Sequence, residues 1–310
     1  MTMLTTQDGS AVPPFAFGTM QFGGTADESA SRAMFDACRA VGIRHFDTAY
    51  VYTDGASETL LGRFAAAERD TLFIATKCGN RVGTPKAMTA EIDESLRRLG
   101  TDVVDLLYLH RWTDDAPLEA RVEVLARAVD TGKARHVGLS NFAAWQVMKA
   151  IRIAAGFGLE IAALQPMYNL VKRQAEVEIL PMARSEGLAV FPYSPLGGGL
   201  LTGKYATGTG EGRIASDARY ARRYGADWMH RAATGLADIA AEIGVPAPTL
   251  AVAWAARHPG VTGPILSARD TLQLAPSLDA LGFDMDDALY ARLTALSPAP
   301  PPATDRNEEA

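Results

Sequence analysis

Short apolar runs alternate with helix-length amphipathic segments about eight times along a chain of 310 residues. That alternation predicts an α/β fold, a single (β/α)8 TIM barrel. Two further observations support it. The runs carry consecutive apolar residues rather than strict alternation, which suits parallel strands covered on both faces. The first run, Phe15–Gly18, leads into Thr19-Met20-Gln21-Phe22-Gly23-Gly24. An open doubly wound sheet would place a G-x-G-x-x-G turn there.

The eight predicted strands are Phe15–Gly18, Arg44–Asp47, Leu72–Lys77, Val104–His110, His136–Ser140, Ala162–Gln165, Leu188–Tyr193 and Thr262–Ser267. Thr5–Val12, with Asp8-Gly9, reads as an N-terminal β-hairpin turn closing the bottom of the barrel. Thr89 reads as an N-cap, followed by a stripe of Ile92, Leu96 and Leu99 and ended by Gly100. Pro117 marks a helix start, with Val122, Leu125 and Val129 at helical spacing and Gly132 beyond. Helices are also expected over Pro181–Glu186, Asp227–Ile243, Pro248–His258 and Asp286–Leu296, and Thr207–Tyr224 reads as a long Gly/Arg-rich loop. No internal boundary is visible, so residues 1–297 form one domain, and 298–310, with Pro300-Pro301-Pro302, form a disordered tail.

The composition is 48% apolar and 21% charged, with a formal net charge of −6. These values fit a globular chain and lack the broadly basic footprint of a nucleic-acid binder. Cys38 and Cys78 make neither a disulfide framework nor a zinc cluster, and with no apolar leader in Met1–Gly9 they suggest the cytoplasm. No apolar run approaches the length of a transmembrane helix. The expected partner is therefore a small molecule, not a nucleic acid or a membrane.

In a barrel of this kind, chemistry collects at the C-terminal ends of the strands. The polar residues there are Asp47, Lys77, His110, Ser140, Asn141, Gln165 and Tyr193. Each alone has an ordinary explanation: a helix-capping acid, a rim lysine, a core histidine. Together at successive strand ends they point to a site, because lysine and aspartate are rarely buried without partners.

The segments Phe46-Asp47-Thr48-Ala49-Tyr50-Val51-Tyr52, Ala75-Thr76-Lys77, Tyr108-Leu109-His110 and Gly138-Leu139-Ser140-Asn141-Phe142 resemble the aldo-keto reductase family. So do Leu164-Gln165-Pro166-Met167-Tyr168-Asn169 and Tyr193-Ser194-Pro195-Leu196-Gly197, in an ordered match from about Phe17 to Leu274. The resemblance implies an NADP-dependent oxidoreductase that reduces an aldehyde or ketone to an alcohol, with a catalytic tetrad of Asp47, Tyr52, Lys77 and His110. Tyr52 is then the proton donor. Lys77 is expected to lower its pKa, Asp47 to hold Lys77 protonated, and His110 to bond the carbonyl oxygen as it gains charge.

Hydride has to come from a cofactor, since no side chain supplies one. The resemblance implies NADPH/NADP+, with Ser140, Asn141 and Gln165 on the carboxamide and Tyr193 stacked on the nicotinamide. Gly18, Thr19, Met20 and Asp47 belong to the same implied set. Ser194, Pro195, Leu196 and Gly198 lie in a Gly-rich turn whose N–H groups suit an anion. Ser267 and Arg269 open a helix after the eighth strand and match residues near the 2′-phosphate, with Gln273 on adenine. The chain departs from the family here: Ser267 stands where many members have Gly, Leu272 where they have Glu, and Ser277 where they have Asn. The substrate pocket is expected to involve Met20, Phe22, Tyr52, His110, Trp112 and Met167. The Thr207–Tyr224 segment could close over substrate or cofactor, with Arg213, Arg219, Arg222 and Arg223 meeting phosphate or an acidic substrate, but a solvated face is the favoured reading of these arginines.

Two other classes remain at this point. One is an NADPH-binding regulatory or redox-sensing module with little turnover. The other is a Schiff-base aldolase using Lys77, which needs a depressed lysine pKa that Asp47 opposes.

Overall fold

The structure, a computed structural model, describes residues 4–205, 213–306 and 308. Eight strands form one curled sheet: β1 Ala16–Gly18, β2 His45–Asp47, β3 Phe73–Cys78, β4 Val104–Leu109, β5 Ala134–Ser140, β6 Ile161–Gln165, β7 Ala189–Val190 and β8 Ile265–Leu266. The order is β7-β6-β5-β4-β3-β2-β1-β8, and every pair is parallel. This is the α/β architecture expected of a (β/α)8 barrel. Between β7 and β8, Ile265 N donates to Pro192 O at 2.9 Å and Thr262 N to Val190 O at 2.8 Å. Near the N-terminus, Thr5 and Ala11 form an antiparallel bridge.

The period of two along a strand separates the two faces of the sheet. Phe73, Ala75, Leu106, Tyr108, Ala163, Ala189 and Phe191 share one buried cluster inside the curl. The intervening residues, such as Ile74, Leu107, Leu109 and Val190, pack outward with the helices. Continuing the inward set by two residues reaches Asp47 from His45, Lys77 from Ala75, His110 from Tyr108, Gln165 from Ala163 and Tyr193 from Phe191. One alternation therefore fills the interior with apolar groups and delivers polar ones to the same rim.

The helices form where capping and apolar stripes agree. Asp27 caps Glu28–Ala40 by accepting from Ala30 N at 2.8 Å. The helix expected from Thr89 begins earlier, at Pro85, because proline suits the first turn, where its missing N–H costs nothing. Thr89 lies inside it, donating to Pro85 O at 2.9 Å. At Gly263 a Cβ would stand 0.9 Å from the Pro14 carbonyl oxygen, so only glycine lets the segment entering β8 pass the one entering β1.

One expectation needs correction. The segment read as a loop over Thr207–Tyr224 carries helices Arg213–Ser216 and Ala218–Tyr224, the second capped by Asp217 accepting from Arg219 N at 2.8 Å. Its first part lies outside the described residues. Gly and Arg content masked a helix whose inward side is Tyr220 and Tyr224 rather than aliphatic.

Candidate active site

A cavity of about 600 Å³ opens at the C-terminal ends of the strands, with Asp47, Tyr52 and His110 in its wall. Asp47 ends β2, Lys77 lies in β3, and His110 follows β4. Tyr52 opens the short 3-10 turn Tyr52–Gly55, in which Thr53 and Asp54 take positive φ angles of 46° and 51°. That turn swings the Tyr52 ring back over Lys77, with Nζ 4.9 Å from the ring centre.

The four groups converge. Lys77 Nζ makes a short ion pair with Asp47 Oδ1, donates to Thr48 O at 2.6 Å, and donates to the Tyr52 hydroxyl at 3.4 Å. Asp47 Oδ2 accepts from Gln165 Nε2 at 2.8 Å. The Tyr52 and His110 rings meet edge to face, 6.0 Å between centres. Lys77 itself is only 1% exposed, so it reaches the cavity through the groups it holds.

Burial sets the protonation of the site. It pushes Asp47 up from the usual carboxylate range, against the pull of Lys77. Lys77 stays above its ordinary value because Asp47 and Tyr52 outweigh its own burial. Burial also raises Tyr52, and Lys77 only partly offsets this. The expected lowering of the tyrosine pKa is therefore present as a component and loses to desolvation. His110 is pushed down to about 3 by burial, then by Lys77 and Arg111, so the ring is neutral. Its Nδ1 is buried without a partner.

A second network joins the expected carboxamide contacts. Ser140 Oγ donates to Gln165 O at 3.0 Å. Asn141 Nδ2 donates to His110 O at 2.9 Å, and Asn141 Oδ1 accepts from the Tyr193 hydroxyl at 2.6 Å. Asn141 manages this with φ of 59°, a left-handed conformation that asparagine tolerates better than most residues. Ser194, at φ 60°, has its carbonyl held by buried Asn169 at 2.9 Å.

The cavity wall also includes Gly18, Met20, Ser140, Asn141, Gln165 and Tyr193, then Ser194, Pro195, Leu196 and Gly198, and finally Ser267, Arg269 and Gln273. Ser267 Oγ is buried with no hydrogen-bond partner. Arg269 Nε reaches Gln273 Oε1 at 3.4 Å, and Asp270 caps the helix Thr271–Leu278. Four expected residues stand elsewhere, among them Met167, whose Sδ accepts from the Tyr224 hydroxyl at 3.7 Å. Thr19 is fully buried behind the wall, bonded to Asp47 O and Ser57 Oγ. Phe22 is fully buried against Phe17 and Phe64, because the turn after β1 directs it into the core rather than the pocket. Trp112 lies outside the wall, edge-on to Phe142 and 5.4 Å from Trp145.

The wall also takes in residues that sequence reading left mainly to solvent or did not place in the site. Arg219, Tyr220 and Arg223 line the cavity from Ala218–Tyr224, as do Lys204 and Ser277. The Tyr-x-x-x-Tyr spacing of Tyr220 and Tyr224 was the available signal for a helix with an inward aromatic side.

Comparison with known proteins agrees with this geometry. Residues 14–298 match the model of the aldo/keto reductase family. The chain is 30% identical over 312 residues to the uncharacterized oxidoreductase YrpG of Bacillus subtilis, covering 94% of each chain. It is 33% identical over 296 residues to a probable voltage-gated potassium channel subunit beta of Oryza sativa, covering 89% of each. Against the aflatoxin B1 aldehyde reductase member 2 of Rattus norvegicus it is 37% identical over 200 residues, 62% of this chain and 54% of that one. An α/β sheet of parallel strands, an acid, amine, phenol and imidazole gathered at its rim, and a match over nearly the whole length lead to one conclusion: the chain belongs to the aldo/keto reductase family of oxidoreductases.

Proposed function

We propose that this protein is an NADPH-dependent carbonyl reductase in which Tyr52 donates the proton to the substrate oxygen. The observation that carries this reading is the Tyr52 hydroxyl 3.4 Å from Lys77 Nζ beside a neutral, buried His110, all at one cavity. The scaffold is a closed barrel over residues 1–297. The hydrogen bond from Ile265 N to Pro192 O and the Thr5–Ala11 bridge support its closure at the side and the floor.

The wall fits a dinucleotide phosphate. Ser267 Oγ is an orphaned buried hydroxyl, and Arg269 has no carboxylate partner among the described residues. At Gly198, φ 65°, a Cβ would lie 2.6 Å from the Tyr220 ring, so only glycine lets this turn pack against that ring at the cavity wall. Ser267, Arg269 and Gln273 would hold the adenosine end, Ser194 to Gly198 the diphosphate, and Ser140, Asn141, Gln165 and Tyr193 the nicotinamide. Bound there, the reduced cofactor supplies hydride to the carbonyl carbon.

The chain's own residues do the rest. Tyr52 keeps its proton at neutral pH because burial raises its pKa, and gives it up as the carbonyl oxygen becomes more basic. Lys77 then faces the resulting phenolate, an opposite charge in a low-dielectric site. Asp47 keeps Lys77 charged and in place. His110, neutral at working pH, hydrogen-bonds the same oxygen. The raised Lys77 pKa disfavours the amine nucleophile that a Schiff-base aldolase needs. A complete tetrad at an open cavity favours turnover over a purely binding role.

The test is direct. The purified protein should oxidise NADPH in the presence of benzaldehyde, and use NADH at least about tenfold less efficiently. Arg269→Met should weaken NADPH binding about tenfold or more while changing NADH little, since an arginine–phosphate fork is lost. No aldehyde turnover with either nucleotide defeats the assignment.

A further inference from the structure

We propose that Arg223 and Lys172 form an anion anchor beside the cavity, so that the carbonyl substrate carries a carboxylate or phosphate group. This rests on the carbonyl-reductase reading and narrows its substrate class. Arg223 lies in the helix Ala218–Tyr224 and lines the cavity, its guanidinium 5.5 Å from the centre of the Tyr220 ring. Lys172 comes from the turn after β6, its Nζ 5.7 Å from the centre of the Tyr224 ring. Both cations are half-buried. Among the described residues neither has a carboxylate partner, whereas Arg219 on the same helix is neutralised by Asp217 at 2.8 Å.

Two like charges held together in a partly dry place are unfavourable unless an anion joins them. Burial, and then the charge of Arg223, pushes the Lys172 ammonium below its ordinary value. An oxyanion entering here gains a guanidinium fork and an ammonium, and removes the repulsion between them.

The anchor belongs to the reacting end of the cavity. Arg223 and Tyr220 line the same cavity as Tyr52, His110 and Tyr193. Ser267, Arg269 and Gln273 line the cavity from the β8 side, where the proposed function puts the adenosine 2′-phosphate. A charged tail on the substrate would therefore meet Arg223 while its carbonyl meets Tyr52.

The experiment compares two charged aldehydes with neutral counterparts: 4-carboxybenzaldehyde against methyl 4-formylbenzoate, and glyceraldehyde 3-phosphate against glyceraldehyde. The wild-type protein should prefer the charged member of at least one pair by about tenfold in kcat/KM, and which pair responds separates carboxylate from phosphate. Lys172→Met and Arg223→Met should each cut that preference about tenfold, mainly through KM, with NADPH affinity by fluorescence titration within about twofold of wild type. Should Arg223→Met fail to fold, Lys172→Met and the rise of KM for the charged aldehyde with ionic strength still decide the matter. A wild-type ratio near one for both pairs overturns the proposal. So do variants that weaken NADPH and slow all four aldehydes alike, which would make these cations part of the cofactor's diphosphate site. Wild-type inertness toward all four aldehydes with NADPH defeats the carbonyl-reductase reading itself.

Discussion

Replacing Tyr52 with phenylalanine should reduce aldehyde-dependent NADPH oxidation by about 10²–10⁴-fold, the span typical of a lost general acid. Nucleotide binding should stay within about threefold, because the change removes one hydroxyl and no charge. The hydroxyl's hydrogen-bond partner among the described residues is Lys77 Nζ at 3.4 Å, and Lys77 keeps its ion pair with Asp47 and its bond to Thr48 O. The phenyl ring also retains its seat 4.9 Å from Nζ and its edge contact with His110. Tyr52→Phe therefore isolates proton donation. Lys77→Met would not, because it strands a buried carboxylate, a change that costs about 3–5 kcal/mol on its own. Stopped-flow turnover beside a fluorescence titration of NADPH gives the two numbers. Tyr52→Phe with a kcat near wild type would remove Tyr52 from the mechanism and leave His110 as the proton source to test.

The site was legible where chemistry and strand period coincide. Asp47, Lys77, His110, Gln165 and Tyr193 all continue an inward alternation by two residues, so locating the strands also located the groups. Tyr52 lies beyond β2 on a turn with two left-handed residues, and only the resemblance of its segment marked it. Phe22 and Trp112 follow strand ends in sequence, yet sequence position says nothing about which way a turn directs its side chain. Phe22 goes to the core and Trp112 to a cluster with Phe142 and Trp145. The helix Ala218–Tyr224 was hidden for a different reason. It has only seven residues and three arginines, and its partners, Gly198 and Asn169, are far away in the chain. A short helix held by tertiary contacts leaves little propensity signal. The lumen held another surprise: His45 and Tyr108 sit among the apolar inner residues with no hydrogen-bond partner for the imidazole nitrogens or the hydroxyl.

That buried imidazole predicts a large pH-dependent loss of stability. His45 stands edge-on to Phe73 and Phe191, with ring centres 4.9 and 4.6 Å away. Burial, then the charge of Lys77, pushes its pKa down to about 3, and burial takes His110 to a similar value. An unfolded histidine titrates near 6.5. Between those limits the unfolded chain binds protons that the native state refuses, so stability is intact above about pH 6.5 and falls as the pH drops toward 3. At pH 4.5 each histidine costs about 2–3 kcal/mol, a large share of a typical folding free energy of about 5–15 kcal/mol. Buried Asp47 and Glu91, both raised by desolvation, act with the opposite sign and soften the decline. Comparing His45→Phe with wild type cancels those terms. The phenyl ring keeps both edge contacts and removes two unsatisfied nitrogens, so the variant should match or exceed wild-type stability at pH 7. By urea denaturation at pH 7 and 4.5, it should lose about 2–3 kcal/mol less than wild type on acidification. Equal losses in the two proteins would mean that the native barrel admits a proton, or water, to His45, and that its lumen is wetter than the packing of Phe73 and Phe191 implies.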